Sequence, residues 1–149
     1  MRRALLASVL CSTVWVGLSS QSIPQDTGAA GAWQKILKVR TTASVLHGTA
    51  HPDDEHGGVL ALLSRRDGAH VSLMTLTRGE SGDNAIGPQL FDGVGLIRTD
   101  ELLAADKYYG VDEQYISTML DYGFSKTLDE TVKNWGMDNA MRDVVRIFR

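Results

Sequence analysis

Short apolar runs alternate with longer amphipathic segments from residue 43 onward, and this alternation restricts the possible folds more than any other feature of the chain. Apolar and β-branched residues cluster in three runs, which predict strands at 43–49, 70–77 and 113–120. Helical spacing of apolar residues predicts helices at 55–66, 96–109 and 128–149, the last with a break near Gly136. The alternation predicts an α/β fold with a Rossmann-like parallel sheet and flanking helices.

The first 20 residues have the three parts of a secretory signal peptide. Arg2 and Arg3 precede an apolar run from Ala4 to Gly17, and small polar residues follow it. The run is shorter than the roughly 20 apolar residues that cross a bilayer, so we expect no stable membrane span. We predict a signal peptide over 1–20 and an exported protein, periplasmic or extracellular. The alternative is a buried N-terminal helix.

The rest of the chain divides into a spacer and a domain. Residues 21–40 are predicted as a flexible spacer, because their first half is rich in Pro, Gly, Ser and Gln. Residues 41–149 form the predicted domain. Three strands make a thin sheet with an unpaired edge, and the last helical run has no closing cap. We therefore expect 41–149 to be the N-terminal part of a domain, truncated after about three strands.

Charge and cysteine content narrow the possible partners and ligands. The formal net charge of −3 offers no basic surface for nucleic acid. The single cysteine, Cys11, lies in the predicted signal peptide. Any metal site in the mature chain must therefore use His, Asp and Glu side chains.

A dense group of potential ligands follows the first predicted strand, in the sequence His51-Pro52-Asp53-Asp54-Glu55. Functional residues of parallel sheets gather at this end of the strands. His51 and Asp54 are three residues apart, so both side chains could converge on one zinc ion. Asp53 would point elsewhere and could take a proton from water. On spacing alone, an equally good alternative is that Asp53 and Asp54 cap the following helix.

Four segments, taken in order, resemble the LmbE-like, or PIG-L, de-N-acetylase family. They are AHPDDE at 50–55, LTRGESG at 76–82, IRTDEL at 97–102 and DYGF at 121–124. The family includes deacetylases of N-acetylglucosaminyl-inositol lipids and of mycothiol and bacillithiol precursors. The resemblance implies the LmbE-like fold and zinc-dependent removal of an acetyl group from an N-acetylated sugar or glycoconjugate.

The resemblance also implies roles for individual residues. His51 and Asp54 would be zinc ligands, and Asp53 would be the general base. Arg98 and Asp121 would bind the substrate, the latter through sugar hydroxyls. Glu80 would order its loop rather than take part in the reaction.

The family's third zinc ligand is a histidine in a downstream H-x-x-H segment, and this chain has no such segment. A catalytic zinc normally has three protein ligands and a water. His56 is a weak substitute, because in a helix it would turn away from the face shared by His51 and Asp54. We expect the third ligand to lie beyond Arg149.

Two functions other than hydrolysis are considered for this fold, and one of them stays open. A catalytically inactive carbohydrate-binding or scaffold domain of the same fold is the main alternative, although such a protein would not need a base beside two ligands. A nucleotide-binding domain is excluded, because no G-x-G-x-x-G follows the first strand and the HPDDE carboxylates would repel phosphate.

Overall fold

The computed structural model of the protein describes residues 26–149, so the predicted signal peptide at 1–20 lies outside the described residues. The chain forms, in order, α1 (Gly28–Val39), β1 (Ser44–Thr49), α2 (Gly57–Ala61), β2 (His70–Thr75), α3 (Asp92–Tyr109), β3 (Glu113–Ile116), α4 (Leu128–Trp135) and α5 (Met137–Phe148). A π-helical turn, Leu62–Arg66, continues α2 directly. No helix in the described part of the chain is long and apolar enough to cross a membrane.

The three strands form one parallel sheet in the order β1-β2-β3, which confirms the predicted α/β class. β2 is central, and five of its six residues are buried, as expected for the middle strand of a parallel sheet. Both of its connections run through helices, α2 before it and α3 after it. All three strands therefore end at the same edge of the sheet.

The hydrophobic core lies between the sheet and the helices that connect its strands. Leu60 of α2, Leu102 of α3 and the β2 residues Val71 and Leu73 are its centre, and each is at most 3% exposed. Because α2 and α3 both pack against β2, the position of α2 along α3 is fixed. This places the residues before α2 beside the middle of α3.

The predicted flexible spacer at 21–40 is wrong for residues 28–39, which form α1. The prediction rested on the polar first half of this segment, but the second half carries residues that pack against the domain. Leu37 is buried. The Lys38 ammonium donates to the Ser64 hydroxyl, the Ala69 carbonyl and the Asp112 carboxylate. These contacts hold a helix that composition alone does not predict.

Several predicted boundaries also differ from the structure: α3 begins at Asp92 rather than at residue 96, and β2 ends at Thr75 rather than at residue 77. Two further differences have a clear local cause. The first helix of the domain begins at Gly57 rather than Glu55, because residues 51–55 form a separate turn. The third strand ends at Ile116 rather than at residue 120. Both the amide and the hydroxyl of Thr118 donate to Asp143 of α5, which draws the backbone away from the sheet. The predicted break near Gly136 is confirmed, since this glycine has a φ of +76° and separates α4 from α5.

Candidate active site

The turn after β1 brings His51 and Asp54 together. His51 Nδ1 lies 3.2 Å from Asp54 Oδ2, and the same oxygen accepts a hydrogen bond from the His51 amide at 2.9 Å. Half of the Asp54 side chain remains exposed (49%). The two predicted ligands therefore share one point on the surface of the protein, held there by a local backbone contact.

Helix capping does not explain the two aspartates. The residue that precedes α2 is His56, and it makes no side-chain cap. Asp54 is instead bound to His51, and the Asp53 carboxylate is bound to Arg98. The capping alternative is therefore wrong, and the carboxylates remain available for another use.

Asp53 has an unusual backbone conformation, with a φ of +90°. Such a value is unfavourable for any residue with a side chain and costs about 1–3 kcal/mol. The Arg98 guanidinium compensates by donating from Nη2 to Asp53 Oδ2 at 2.8 Å and to the Pro52 carbonyl oxygen at 2.5 Å. On the other side, the Asp53 amide donates to Glu55 Oε2 at 2.8 Å. Strain of this kind, held in place by surrounding contacts, is typical of functional sites.

Glycines in the loop after β2 make room for Arg98. A Cβ atom on Gly79 would lie 2.3 Å from Arg98 Nη1, and one on Gly82 would lie 2.7 Å from it. Gly79 also has a φ of +72°, which a residue with a side chain rarely adopts. The glycines of the motif at 76–82 therefore leave the space that the Arg98 guanidinium occupies. The sequence alone did not predict this contribution.

Glu80 joins this loop to the segment after β3. It is 8% exposed, and its Oε2 accepts hydrogen bonds from the amides of Arg78 and Asp121. Asp121 in turn accepts from the amides of Ser81 and Gly123. These contacts agree with the expectation that Glu80 orders the loop.

Asp121 completes the group. Its side chain is 8% exposed, and Oδ1 lies 3.7 Å from His51 Nε2. That distance is too long for a hydrogen bond but short enough for attraction to a charged imidazole. All five predicted site residues thus lie at the carboxyl edge of the sheet: His51, Asp53, Asp54, Arg98 and Asp121.

A cavity of about 280 Å³ opens beside Asp53 and Arg98. Charged side chains from α3 and the 83–86 loop line it together with apolar ones, among them Asp83, Ile86, Ile97 and Glu101. A cavity of this kind can take a ligand with both hydroxyl groups and an apolar part. Its position places such a ligand against the Asp53 carboxylate.

The donor atoms of His51 and Asp54 fit two positions of a zinc site. Two ligands at about 2.0–2.1 Å from a tetrahedral zinc are themselves about 3.3 Å apart, and the observed separation is 3.2 Å. Across residues 26–149, no group of three or more His, Cys, Asp or Glu side chains is arranged to hold a metal ion. The described part of the chain therefore supplies a pair of donors.

Sequence reasoning assigned no role at the site to three residues that lie near it: Glu55, Asp106 and Tyr109. Asp106 is 5% exposed, and neither carboxylate oxygen has a hydrogen-bond partner within the described residues. Burial, reinforced by the negative charge of Glu55, raises the pKa of Asp106 to about 7. Burial also raises the pKa of Tyr109, with smaller contributions from Glu55 and Asp106. The signals in the sequence were the place of Glu55 at the end of the HPDDE segment and, for Asp106, a charged residue among the apolar positions of α3.

Comparison with known proteins places these residues in a family context. The family model described as PIG-L, GlcNAc-PI de-N-acetylase, matches residues 46–149. A 1D-myo-inositol 2-acetamido-2-deoxy-alpha-D-glucopyranoside deacetylase from Streptomyces griseus subsp. griseus is 42% identical over 73 residues. That match covers 43% of this chain and 22% of the relative, so the chain spans less than a quarter of that protein.

Proposed function

Because this chain belongs to the PIG-L, or GlcNAc-PI de-N-acetylase, family, we propose that the protein hydrolyses the N-acetyl amide of an amino sugar or glycoconjugate with a bound zinc ion. The observation that carries the proposal is the 3.2 Å separation of His51 Nδ1 and Asp54 Oδ2 beside a strained Asp53. All three residues lie within the segment that matches the family. The name of the Streptomyces relative supports an N-acetylglucosaminyl-inositol as the type of substrate.

His51 and Asp54 are the residues that would hold the zinc ion. When bound, zinc would polarise the acetyl carbonyl and make a water molecule easier to deprotonate. A carboxylate next to an imidazole offers the nitrogen and oxygen donors that zinc binds. Asp54 is anchored by the His51 amide, so its oxygen is already in place before an ion arrives.

Asp53 would act as the general base. Its Oδ2 is held by Arg98, and its side chain is 78% exposed, so Oδ1 remains free to take a proton from an attacking water. The contact with the guanidinium fixes the direction of the carboxylate. After this step Asp53 would hold the proton taken from water, and the leaving amine would have to receive a proton before it departs.

Arg98 and Asp121 would orient the substrate. Arg98 borders the cavity beside Asp53, where a guanidinium can donate to sugar oxygens. Both Asp121 oxygens already accept backbone hydrogen bonds, but each carboxylate oxygen has a second lone pair that a sugar hydroxyl could use. Placement of the acetyl group against Asp53 would account for much of the rate enhancement.

The test is acetate release from an N-acetylglucosaminyl-inositol by the full-length protein. Asp53→Ala should lower kcat about 10²- to 10⁴-fold, the usual contribution of a general base. Asp129→Ala is the matched control, since Asp129 is exposed on α4. Undiminished turnover by Asp53→Ala would remove Asp53 from the mechanism, and no acetate release by the wild type would favour an inactive carbohydrate-binding or scaffold domain.

We also propose that the protein is exported. The proposal rests on Arg2, Arg3 and the apolar run from Ala4 to Gly17. The N-terminal residue of the protein recovered outside the cytoplasm should be Ser20 or Gln21, as determined by N-terminal sequencing. Recovery of the protein in the cytoplasm with Met1 or Arg2 retained would contradict export.

A further inference from the structure

The peptide unit that joins Pro52 to Asp53 is bound at both of its polar ends. Its carbonyl oxygen accepts from Arg98 Nη2 at 2.5 Å, and its amide donates to Glu55 Oε2 at 2.8 Å. Rotation of this peptide unit changes the φ of Asp53. Contacts at both ends therefore determine the backbone conformation of the proposed base.

We propose that Glu55 is a positioning residue that keeps Asp53 in its left-handed conformation, an inference that rests on the proposed function. A φ of +90° is strained for an aspartate, so without a second hydrogen bond the peptide unit would turn toward a negative φ. The Asp53 side chain would then leave the direction set by Arg98. Arg98 alone fixes one end of the peptide unit and leaves the other free.

Glu55 serves neither the following helix nor the proposed zinc site. Its side chain does not cap α2, whose preceding residue is His56 and whose first turn has no side-chain cap. It is also not one of the proposed zinc ligands. Its carboxylate accepts a hydrogen bond from the Asp53 amide and also interacts with Tyr109.

Glu55 is itself supported by α3. Tyr109 interacts with Glu55 and packs on Gly57, where an added Cβ would lie 2.4 Å from the tyrosine ring. Asp106, one turn earlier on the helix, is buried close enough to Glu55 for the negative charge of the glutamate to raise the pKa of Asp106. Arg98 and Tyr109 are about three helical turns apart and share one face. One helix therefore determines both ends of the peptide unit, directly through Arg98 and through Glu55.

The experiment compares Glu55→Ala and Glu55→Gln in the full-length protein with wild type. Glu55→Ala should lower kcat about 10- to 100-fold through misplacement of the base, with KM and bound zinc unchanged. Glu55→Gln should recover most of that loss, because its amide oxygen can accept the same hydrogen bond. Unchanged kcat in Glu55→Ala, or a loss of bound zinc equal to the loss of activity, would overturn the proposal.

A second measurement does not depend on activity. The amide proton resonance of Asp53 should move upfield in Glu55→Ala, since a hydrogen bond to a carboxylate is lost, and should largely return in Glu55→Gln. Glu113→Ala, at the opposite end of the sheet, is the control and should leave this resonance in place. If the wild type releases no acetate but the resonance moves, the proposed function fails and the positioning contact stands. An unmoved resonance in Glu55→Ala overturns the positioning role.

Discussion

The turns that follow β1 and β2 both carry carboxylates, but they use them in opposite ways. After β1, the side chains of Asp53 and Asp54 are 78% and 49% exposed, and Asp53 has a strained backbone. After β2, Glu80 is 8% exposed and accepts two backbone hydrogen bonds. A buried carboxylate bound to amides stabilises the loop, whereas an exposed and strained one costs stability and stays available for chemistry. In the proposed mechanism, the first turn presents the reactive groups and the second turn supports them.

The largest expected effect lies beneath the first turn, at Asp106. Well below pH 3.8 its carboxyl is protonated in both the folded and the unfolded chain. As the pH rises toward 7, the unfolded chain loses this proton at its ordinary pKa of 3.8 while the folded chain keeps it, since the folded pKa is about 7. The free energy of unfolding therefore falls across this range and levels off above it.

Asp106→Asn should remove this pH dependence, because the amide imitates the protonated acid. Relative to wild type the variant should gain stability as the pH rises, by roughly 4 kcal/mol at most above pH 7. Urea unfolding of both proteins at several pH values between about 4 and 8 measures the difference. If the free energy of unfolding changed with pH in the same way in both proteins, Asp106 would not have a raised pKa in the folded chain.

The second effect tests the supporting turn. Glu80→Ala removes two hydrogen bonds from partly buried backbone amides and should lower the free energy of unfolding by about 2–4 kcal/mol. Glu101→Ala, an exposed glutamate on α3, is the control and should change stability by less than about 0.5 kcal/mol. Denaturant titration measures both. A loss at Glu80 no larger than at Glu101 would mean that this carboxylate does not hold the loop.

A smaller effect is expected where the two turns meet, at Gly79. Gly79→Ala combines an unfavourable positive φ with a Cβ that would press on Arg98, and should destabilise the protein by about 1–2 kcal/mol. Gly58→Ala is the control, since a Cβ there meets nothing within 4 Å and alanine favours the helix. Thermal unfolding should show a lower melting temperature for Gly79→Ala and a higher one for Gly58→Ala, each relative to wild type. Equal shifts would contradict the close contact.

The smallest effect isolates the strain at Asp53. Asp53→Gly and Asp53→Ala both lose the pair with Arg98, but only alanine has to bear the φ of +90°. The glycine variant should therefore be more stable than the alanine variant by about 1 kcal/mol. At Asp54, where φ is not positive, the order should reverse. The same order at both positions would contradict strain at Asp53.

Contacts between near neighbours in the sequence were predictable, and contacts between distant residues were not. The spacing of His51 and Asp54 pointed to their contact, and the alternation of apolar runs predicted the sheet. The contact of Arg98 with Asp53 joins residues 45 apart, and only the family resemblance placed both in one site. The position of Glu55 between Asp53 and Tyr109 depends on how α3 packs, which periodicity does not reveal. The early end of β3 likewise depends on a distant residue, Asp143.

Zinc binding by the full-length protein and by three single variants tests the central claim most directly. Wild type should bind about one zinc ion, and His51→Ala and Asp54→Ala should each weaken binding about 100-fold or more, since each removes a ligand. Asp53→Ala should bind zinc as wild type does. Loss of zinc by Asp53→Ala together with retention by Asp54→Ala would contradict the assignment of ligand and base in this turn.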